Sequence, residues 1–499
     1  MLRLGENEAD YTIYSRDYDY SRINEVEDWQ ALNIVLKWDD ISTWALDLPT
    51  KEYMKRWDLI QTTPAKTLLA PNKLMIEDSS RPSDVGDAEY LGGQLGIMVF
   101  RNGTGQNVND AILTGIITEV TREWNGSEDK IHLTGESDSY WLRTRVSFPD
   151  PSHTVDNYGM WDGGGGGSDV YPGQNVSLLY ESETIEYIMQ DIISENLGDS
   201  PTCLSWRKLP YFTTYWPLHD PQQGDVKNYD TRWETLYDMC KTVVGLQATS
   251  FGTAPDGRYV PISYGFAIEQ VSETNTTDGR IQYNFLIPED KKDRVMFGTE
   301  FGNVRSFEYT EKRPDYNNVI MGGPTVGDQA TGYDNASQRV YYLYPPNMGD
   351  PSNKRFGRIE SFEDVAGDYG VDAADTNTKR WADIYNEAGT LTFQHRFNQE
   401  VRIDLLPEEM EQFQDHFNLG DYVTVELGNF YSTLTVNTTA QRYCDFIRQV
   451  SLNVSPDGEI ITPIISDPMK WLWTSTPAVK KVHEHERRLQ HKGRKGCRG

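Results

Sequence analysis

Apolar and polar positions alternate along much of the first third of the chain, the period-two spacing of strands that bury one face. Strands are predicted at Leu32–Lys37, Trp44–Leu48, Gly96–Phe100, Ile112–Val120 and Lys130–Thr134, runs rich in Val, Ile, Leu, Thr and aromatic residues. Asn102-Gly103, Asn125-Gly126 and Asp39-Asp40 sit where hairpins would reverse. Within the fourth run, Ile116, Thr118 and Val120 alternate with Ile117, Glu119 and Thr121. The pattern predicts a small antiparallel barrel.

The spacing then changes. Five consecutive glycines, Gly163 to Gly167, interrupt the segment between Pro149 and Tyr171, and their backbone entropy opposes regular structure. This is a linker or long loop, and without a following Lys-Ser/Thr it does not read as a phosphate cradle. Beyond it, residues 182–193 carry apolar side chains at helical spacing, with Ser182 as N-cap and Gly198 as stop. A second helix fits Thr231 to Val244, where Trp233, Leu236, Tyr237, Cys240, Val243 and Val244 form one stripe. Strands at Arg258–Ser263 and Tyr283–Leu286 make this middle section α+β.

The last third returns to strands: Val304–Thr310, Asn318–Met321, Val340–Tyr344, Glu400–Asp404, Tyr422–Glu426 and Phe446–Asn453. A helix from Asp375 to Ala388, with Gly389 as its cap, interrupts them. A short internal repeat links the two ends. Leu95-Gly96-Ile97-Met98-Val99 is similar to Leu419-Gly420-Asp421-Tyr422-Val423, and the strands that follow, Ile116–Val120 and Phe446–Val450, each lead through a polar turn into another β-run. Chance likeness of two hairpins and a pair of related barrels both account for it.

Charge narrows the function. Lys and Arg total 47 against 76 Asp and Glu in 499 residues, a formal net charge of −29, so a free duplex would be repelled. Lys480 to Gly499 reverses that sign, reading either as a disordered tail or as a clamp for an acidic neighbour. Cys203, Cys240, Cys444 and Cys497 are far apart and form no ligand pattern, so reduced and mostly buried thiols are expected. The opening residues lack a cationic-then-apolar signal, and no stretch approaches a membrane span; synthesis and assembly in a cytoplasm are expected, without membrane insertion.

A search for chemistry yields no candidate catalytic, cofactor-binding or metal-binding residue. His132, His153, His219, His395 and His416 stand without metal spacing, His483, His485 and His491 fall in the basic end, and His416 reads as structural. Trp161, Tyr211, Tyr215 and Trp216 could stack on sugars, but loop anchors or subunit contacts are the favoured role for such aromatics. No GxSxG elbow is present.

Four ordered stretches carry a resemblance: Ala31 to Leu36 leading to Trp38 through Pro49; Gly115 to Arg145, with Leu133-Thr134-Gly135-Glu136-Ser137; Phe301 to Val304 with Asn317 to Gly323; and Leu419 to Val423 through Val450 to Pro463. Together they resemble a siphophage minor tail family of actinobacterial phages, over roughly Asp10 to Asp467. The glycine run, the Tyr333–Asp364 loop region and the basic end lie outside the shared pattern.

The resemblance implies a mainly β chain with an α+β middle. Its parts would be an N-terminal arm at 1–25, a first β-barrel at 26–150, a Gly-rich linker at 151–180, an α+β domain at 181–300, a second barrel with a helical insertion at 301–468, and a basic extension at 469–499. It implies a non-enzymatic, homotrimeric hub at the tip of a long non-contractile tail, joining a hexameric tube or distal tail ring to other tip proteins, with the tape measure protein a further partner. DNA would pass through its lumen without specific binding, and an acidic wall would keep it from sticking. The runner-up reading is a tail-associated cell-wall hydrolase or carbohydrate-binding protein.

Overall fold

A computed structural model describes residues 10–17, 20–56, 95–101, 107–147, 179–198, 209, 211–214, 226–230, 234–245, 250–253, 259–273, 280–298, 301–325, 339–344, 356–364, 388, 391–392, 395, 398–406, 413–426, 442–455 and 458–466. Strands dominate. They are β1 (Tyr11–Arg16), β2 (Arg22–Glu25), β3 (Ala31–Lys37), β4 (Thr43–Pro49), β5 (Gly96–Arg101), β6 (Ala111–Trp124), β7 (Asp129–Ser137), β8 (Leu179–Thr184), β9 (Phe212–Thr214), β10 (Val226–Asp230), β11 (Ser250–Thr253) and β12 (Tyr259–Pro261). After them come β13 (Gly265–Gln270), β14 (Ile281–Leu286), β15 (Met296–Gly298), β16 (Val304–Lys312), β17 (Asn318–Thr325), β18 (Arg339–Tyr344), β19 (Glu360–Asp364), β20 (Asn398–Leu405), β21 (Tyr422–Glu426), β22 (Arg442–Ser455) and β23 (Gly458–Ser466). The helices are α1 (Thr50–Arg56), α2 (Ile185–Leu197) and α3 (Leu236–Gly245). Every predicted strand is present, most of them a residue or more longer.

The chain divides into two compact units, one of Met1–Phe307 with Arg402–Ile465, the other of Glu308–Val401 with Ser466–Gly499. One sheet has the strand order β16-β20-β23-β22-β3-β4-β7-β6-β5-β1-β2, with β21 and β15 branching from β22; β16 up to Phe307 and β20 from Arg402 count to the first unit. This order changes the expected picture. Strands from the two predicted barrels share a single sheet, joined where β3 pairs antiparallel with β22 from Lys37↔Gln449 to Leu32↔Val454. Among the described residues the order runs open from β16 to β2, with no pair closing it into a barrel.

Alternation sets the layers. In β3, Leu32, Ile34 and Leu36 are buried while Asn33 is exposed, and β4 and β7 follow the same rule with Trp44, Leu46, Leu48, Ile131 and Leu133 inside. Strand β6 breaks it. Leu113 to Ile117 are all buried in succession, and beyond them the register with β7 shifts between Ile117 and Glu119, so that Thr118 forms a bulge and not the period-two step its sequence suggests.

The two ends have like backbones, two residues out of step with the sequence repeat: the Leu95 carbonyl accepts from the Ile117 amide, and the Asp421 carbonyl from the Ile447 amide. Strands β5, β6 and β7 form an antiparallel meander, as do β21, β22 and β23. Both middle strands have 14 residues and both last strands have 9. Gly96 pairs with Ile116 just before the bulge after Ile117, and Tyr422 pairs with Phe446 just before the bulge after Ile447.

The α+β section has its own core. Ile185, Ile188, Met189, Ile192 and Ile193 of α2 pack with Leu236, Met239, Cys240 and Val243 of α3 and with Phe266, Ile268, Ile281 and Tyr283 of the β13–β14 pair. Thr184, not Ser182, caps α2, accepting from the Tyr187 amide at 3.3 Å, since β8 runs on to Thr184 and the helix starts only at Ile185; Gly198 ends the helix as expected. Helix α3 begins at Leu236, later than predicted, because the Thr235 hydroxyl takes the Asp238 amide at 3.0 Å. The glycine run, the basic end, Asn102-Gly103 and the Asp375–Ala388 helix lie outside the described residues, save Ala388, which is helical.

Two further segments differ from expectation. The stretch read as an N-terminal arm carries β1 and β2, and β1 pairs with β5 along its full length, from Tyr11↔Arg101 to Arg16↔Gly96. Within the second unit, the Tyr333–Asp364 region holds, besides the predicted β18, the unpredicted β19; the two flank β17, β19 in parallel. Parallel pairing depends on chain brought back from a distance, which local spacing does not reveal.

Candidate assembly surface

Buried charged side chains, which composition alone made unreadable, tie distant segments of the first unit together. Arg16 of β1 donates to both oxygens of Asp138 at 2.7 Å, neither side chain reaching solvent. Thr114 also donates to Asp138, at 2.6 Å, and Gln270 of β13 accepts from Arg16 at 3.0 Å. Such a pair is tolerated inside because almost every polar atom has a partner. Arg101 of β5 likewise holds Glu459 of β23 at 2.9 Å, with the Tyr11 hydroxyl donating to the same carboxylate.

A third knot centres on Trp38, at the turn between β3 and β4. Its indole donates to the Ser263 carbonyl at 2.8 Å, while Arg448 of β22 reaches Asp39 at 3.1 Å and the Ser263 hydroxyl at 2.6 Å. Gly265 and Gly420 press their backbones against the ring, and a Cβ on either would fall inside van der Waals contact of it. The neighbouring Asp40 accepts from Tyr237 of α3 at 2.5 Å. Burial opposes ionisation of that carboxyl, but the charges of Lys241 and Lys37 outweigh it and hold the group below the usual range. The hairpin is thus bolted at once to the α+β section and to the second meander.

No catalytic constellation appears in these networks. Burial pushes the Cys240 thiol up, far from a nucleophile. His132 on the sheet surface pairs with Asp47, and His416 is exposed in the turn before β21. His395, in the second unit, stacks on Tyr316 with centroids 3.7 Å apart, and burial lowers its pKa to about 3. The Asp315 carboxylate is 3.9 Å from that imidazole, yet Lys312 holds it at 3.1 Å and offsets its pull. Among the described residues no three His, Cys, Asp or Glu could hold a metal, and no helix is long and apolar enough to cross a membrane. Of the aromatics that could stack on sugar, Tyr211 is covered by Arg280 at 4.5 Å; Trp161, Tyr215 and Trp216 lie outside the described residues.

What the molecule does present is contact surface. The β6–β7 hairpin ends in a rigid tip: Asn125 Oδ1 accepts from the Ser127 and Glu128 amides, Gly126 adopts φ +95°, and Arg122 grips Asp129 through two bonds of 2.8 and 2.7 Å. Beside that tip Trp124 is 72% exposed. A large aromatic held out on a pre-ordered hairpin is costly to hydrate and typical of an interface anchor. Nothing in the local spacing marked it, because Trp124 follows polar residues.

The described residues thus form a strand-built scaffold with buried ionic knots and an exposed aromatic at a hairpin tip. The sequence profile of the Siphovirus ReqiPepy6 Gp37-like family matches residues 179–465, more than half of the chain, and the protein belongs to this siphovirus tail family. Membership places it in the virion.

Among solved structures, the chain is similar to the 43 kDa tail protein of prophage MuSo2 from Shewanella oneidensis, at 9% identity and a TM-score of 0.41 over 92% of this chain and 98% of that one. It is also similar to a tail protein of Neisseria meningitidis MC58, at 10% identity and a TM-score of 0.41 over 93% and 98% of the two chains. Prophage tail protein gp18 of Listeria monocytogenes matches at 10% identity and a TM-score of 0.41 over 95% and 99%. No curated protein sequence matches the chain.

Proposed function

We propose that the protein is a non-enzymatic hub at the tail tip, a homotrimer that joins the hexameric tube or distal tail ring to the tip proteins and lines the channel through which DNA leaves. The duplicated meander carries this reading. Three chains with two equivalent meanders each offer six similar surfaces, which lets a threefold tip meet a sixfold ring without leftover unpaired surface. On this reading the two meanders are the like parts that each chain offers to the ring, and assembly takes place in the host cytoplasm. Trp124 on its hairpin supplies a contact for a neighbour. The basic end, of the opposite sign to the rest of the chain, suits an acidic partner such as another tip protein or the tape measure protein.

The test is the mass of the purified chain by light scattering and its recovery with tail-tube proteins from disrupted virions. A trimer that copurifies with the tube supports the hub. A strict monomer absent from tails overturns it, as does cell-wall hydrolysis in a zymogram that a single carboxylate substitution abolishes.

A further inference from the structure

Seven large apolar side chains of the described residues are exposed, and two of them stand together. Leu343 of β18 and Phe362 of β19 are each 51% exposed, and register sets both directly opposite Ile320 of the central strand β17. Residues paired across a ladder project to the same side, so the three form one apolar row across the sheet. The other side of β17 is its core side, where Val319 and Met321 are fully buried. None of the other five exposed apolar residues faces a second one across a strand pair.

The size of the row selects what can occupy it. Two half-exposed large side chains offer on the order of 200 Å² of apolar surface. A stable contact between separate molecules buries at least about 1,000 Å², so the row by itself is too small to hold a second copy or a free partner. A segment tethered to the same unit needs far less, because its effective concentration is on the order of millimolar. The second unit comprises Glu308–Val401 and Ser466–Gly499, and the two parts are opposite in sign. Residues 308–401 hold fifteen Asp and Glu against nine Lys and Arg, whereas residues 469–499 hold nine Lys and Arg against two Glu. The later part also carries Trp471-Leu472-Trp473, the only place in the chain where two tryptophans fall within two positions of each other. Lys470 adjoins this triplet, and Glu360, exposed two positions before Phe362 on the same side of β19, lies at the end of the row; it also accepts from Arg358.

We infer that Trp471-Leu472-Trp473 seats on the Leu343–Ile320–Phe362 row of its own chain, with Lys470 toward Glu360. Two tryptophans supply the large, rigid apolar area that anchors a contact, and the row supplies the matching surface. The inference goes beyond the hub reading and does not depend on it. It gives the basic end a fixed origin: Lys480 to Gly499 follow shortly after the anchor, remain unengaged by it, and leave the second unit from a set place on β17–β19 and not from a loose tether at the end of β23.

Disulfide trapping in the purified full chain tests it. Cys240 and Cys444 are buried, so Cys203→Ser and Cys497→Ser complete the background, in which Phe362→Cys is combined with Trp473→Cys. Mild oxidation should join the two within one chain, seen on non-reducing gels as a band of monomer mass with altered mobility, while Ser127→Cys with Trp473→Cys should stay unjoined. A bond between two chains, which would make the occupant a second copy, overturns the inference, as does the absence of any bond. Limited trypsin digestion is the second readout. Cleavage after Lys470, followed by mass spectrometry, should quicken roughly tenfold in Phe362→Asp and in Leu343→Glu, because cleavage tracks the population of the undocked form. Both positions are half-exposed, one on each flanking strand, and circular dichroism checks that each variant keeps its fold. Unchanged cleavage in a folded variant counts against the anchor. Because the isolated chain is used throughout, either failure leaves the hub reading standing, whereas a chain absent from tails refutes the hub alone.

Discussion

Substituting Gly420→Ala tests the Trp38 knot. Gly420 sits at φ +88°, where an L side chain is strained by roughly 1–2 kcal/mol. Its added methyl would also drive into the Trp38 ring, which is hemmed in by the Gly265 backbone and anchored through its indole on the Ser263 carbonyl. Overpacking of this kind costs about 1–3 kcal/mol, so a combined loss of about 3 kcal/mol is expected. Gly126→Ala is the control. Its φ of +95° is equally unfavourable, yet nothing lies within 4 Å of the new Cβ, and only the backbone cost of about 1 kcal/mol should be seen. The assay is urea unfolding of both variants and the parent, followed by tryptophan fluorescence and circular dichroism, with midpoints compared at unchanged slope. Adding Trp38→Leu should recover part of the Gly420→Ala loss, the sign of a direct clash. Equal destabilisation by Gly420→Ala and Gly126→Ala, or additive behaviour with Trp38→Leu, would refute the reasoning.

Other substitutions probe the remaining features. Asp138→Asn leaves Arg16 buried without its counter-charge and should cost about 3–5 kcal/mol, whereas Arg16→Met with Asp138→Leu should regain most of it; thermal melts of the three chains decide. His395 has a folded pKa of about 3, below its unfolded value of 6.5, so its contribution is present above about pH 6.5 and is lost as pH falls toward 3. The acid sensitivity of the second unit should therefore shrink in His395→Phe, which keeps the stack on Tyr316, and an imidazole resonance titrating near pH 6.5 in the folded chain would contradict this. Trp124→Ala should leave the melting temperature within about 1 °C of the parent, as surface changes usually do, while weakening self-assembly or tail incorporation; unchanged assembly on native gels would remove Trp124 from the interface.

Strands were legible because alternation is local: Leu32, Ile34 and Leu36, or Ile131 and Leu133, declare a half-buried strand whatever lies beside it. The α2 stripe and its Gly198 stop were legible for the same reason, and so was the core position of Cys240. The likeness of Leu95-Gly96 to Leu419-Gly420 pointed to two stretches that each open an antiparallel meander, although the backbone equivalence falls two residues further along the second. Partnership between distant strands was not. No local pattern says that Leu32 lies opposite Val454 and not opposite another strand of its own half, and that choice turned two expected barrels into one sheet. The buried pairs Arg16–Asp138 and Arg101–Glu459 were hidden by the same limit, since in a chain this acidic any carboxylate could have been the partner. The sequence by itself determined which faces are apolar and where the chain turns. Tertiary structure alone decided which strands meet and which charges are enclosed, because each depends on contacts between residues hundreds of positions apart.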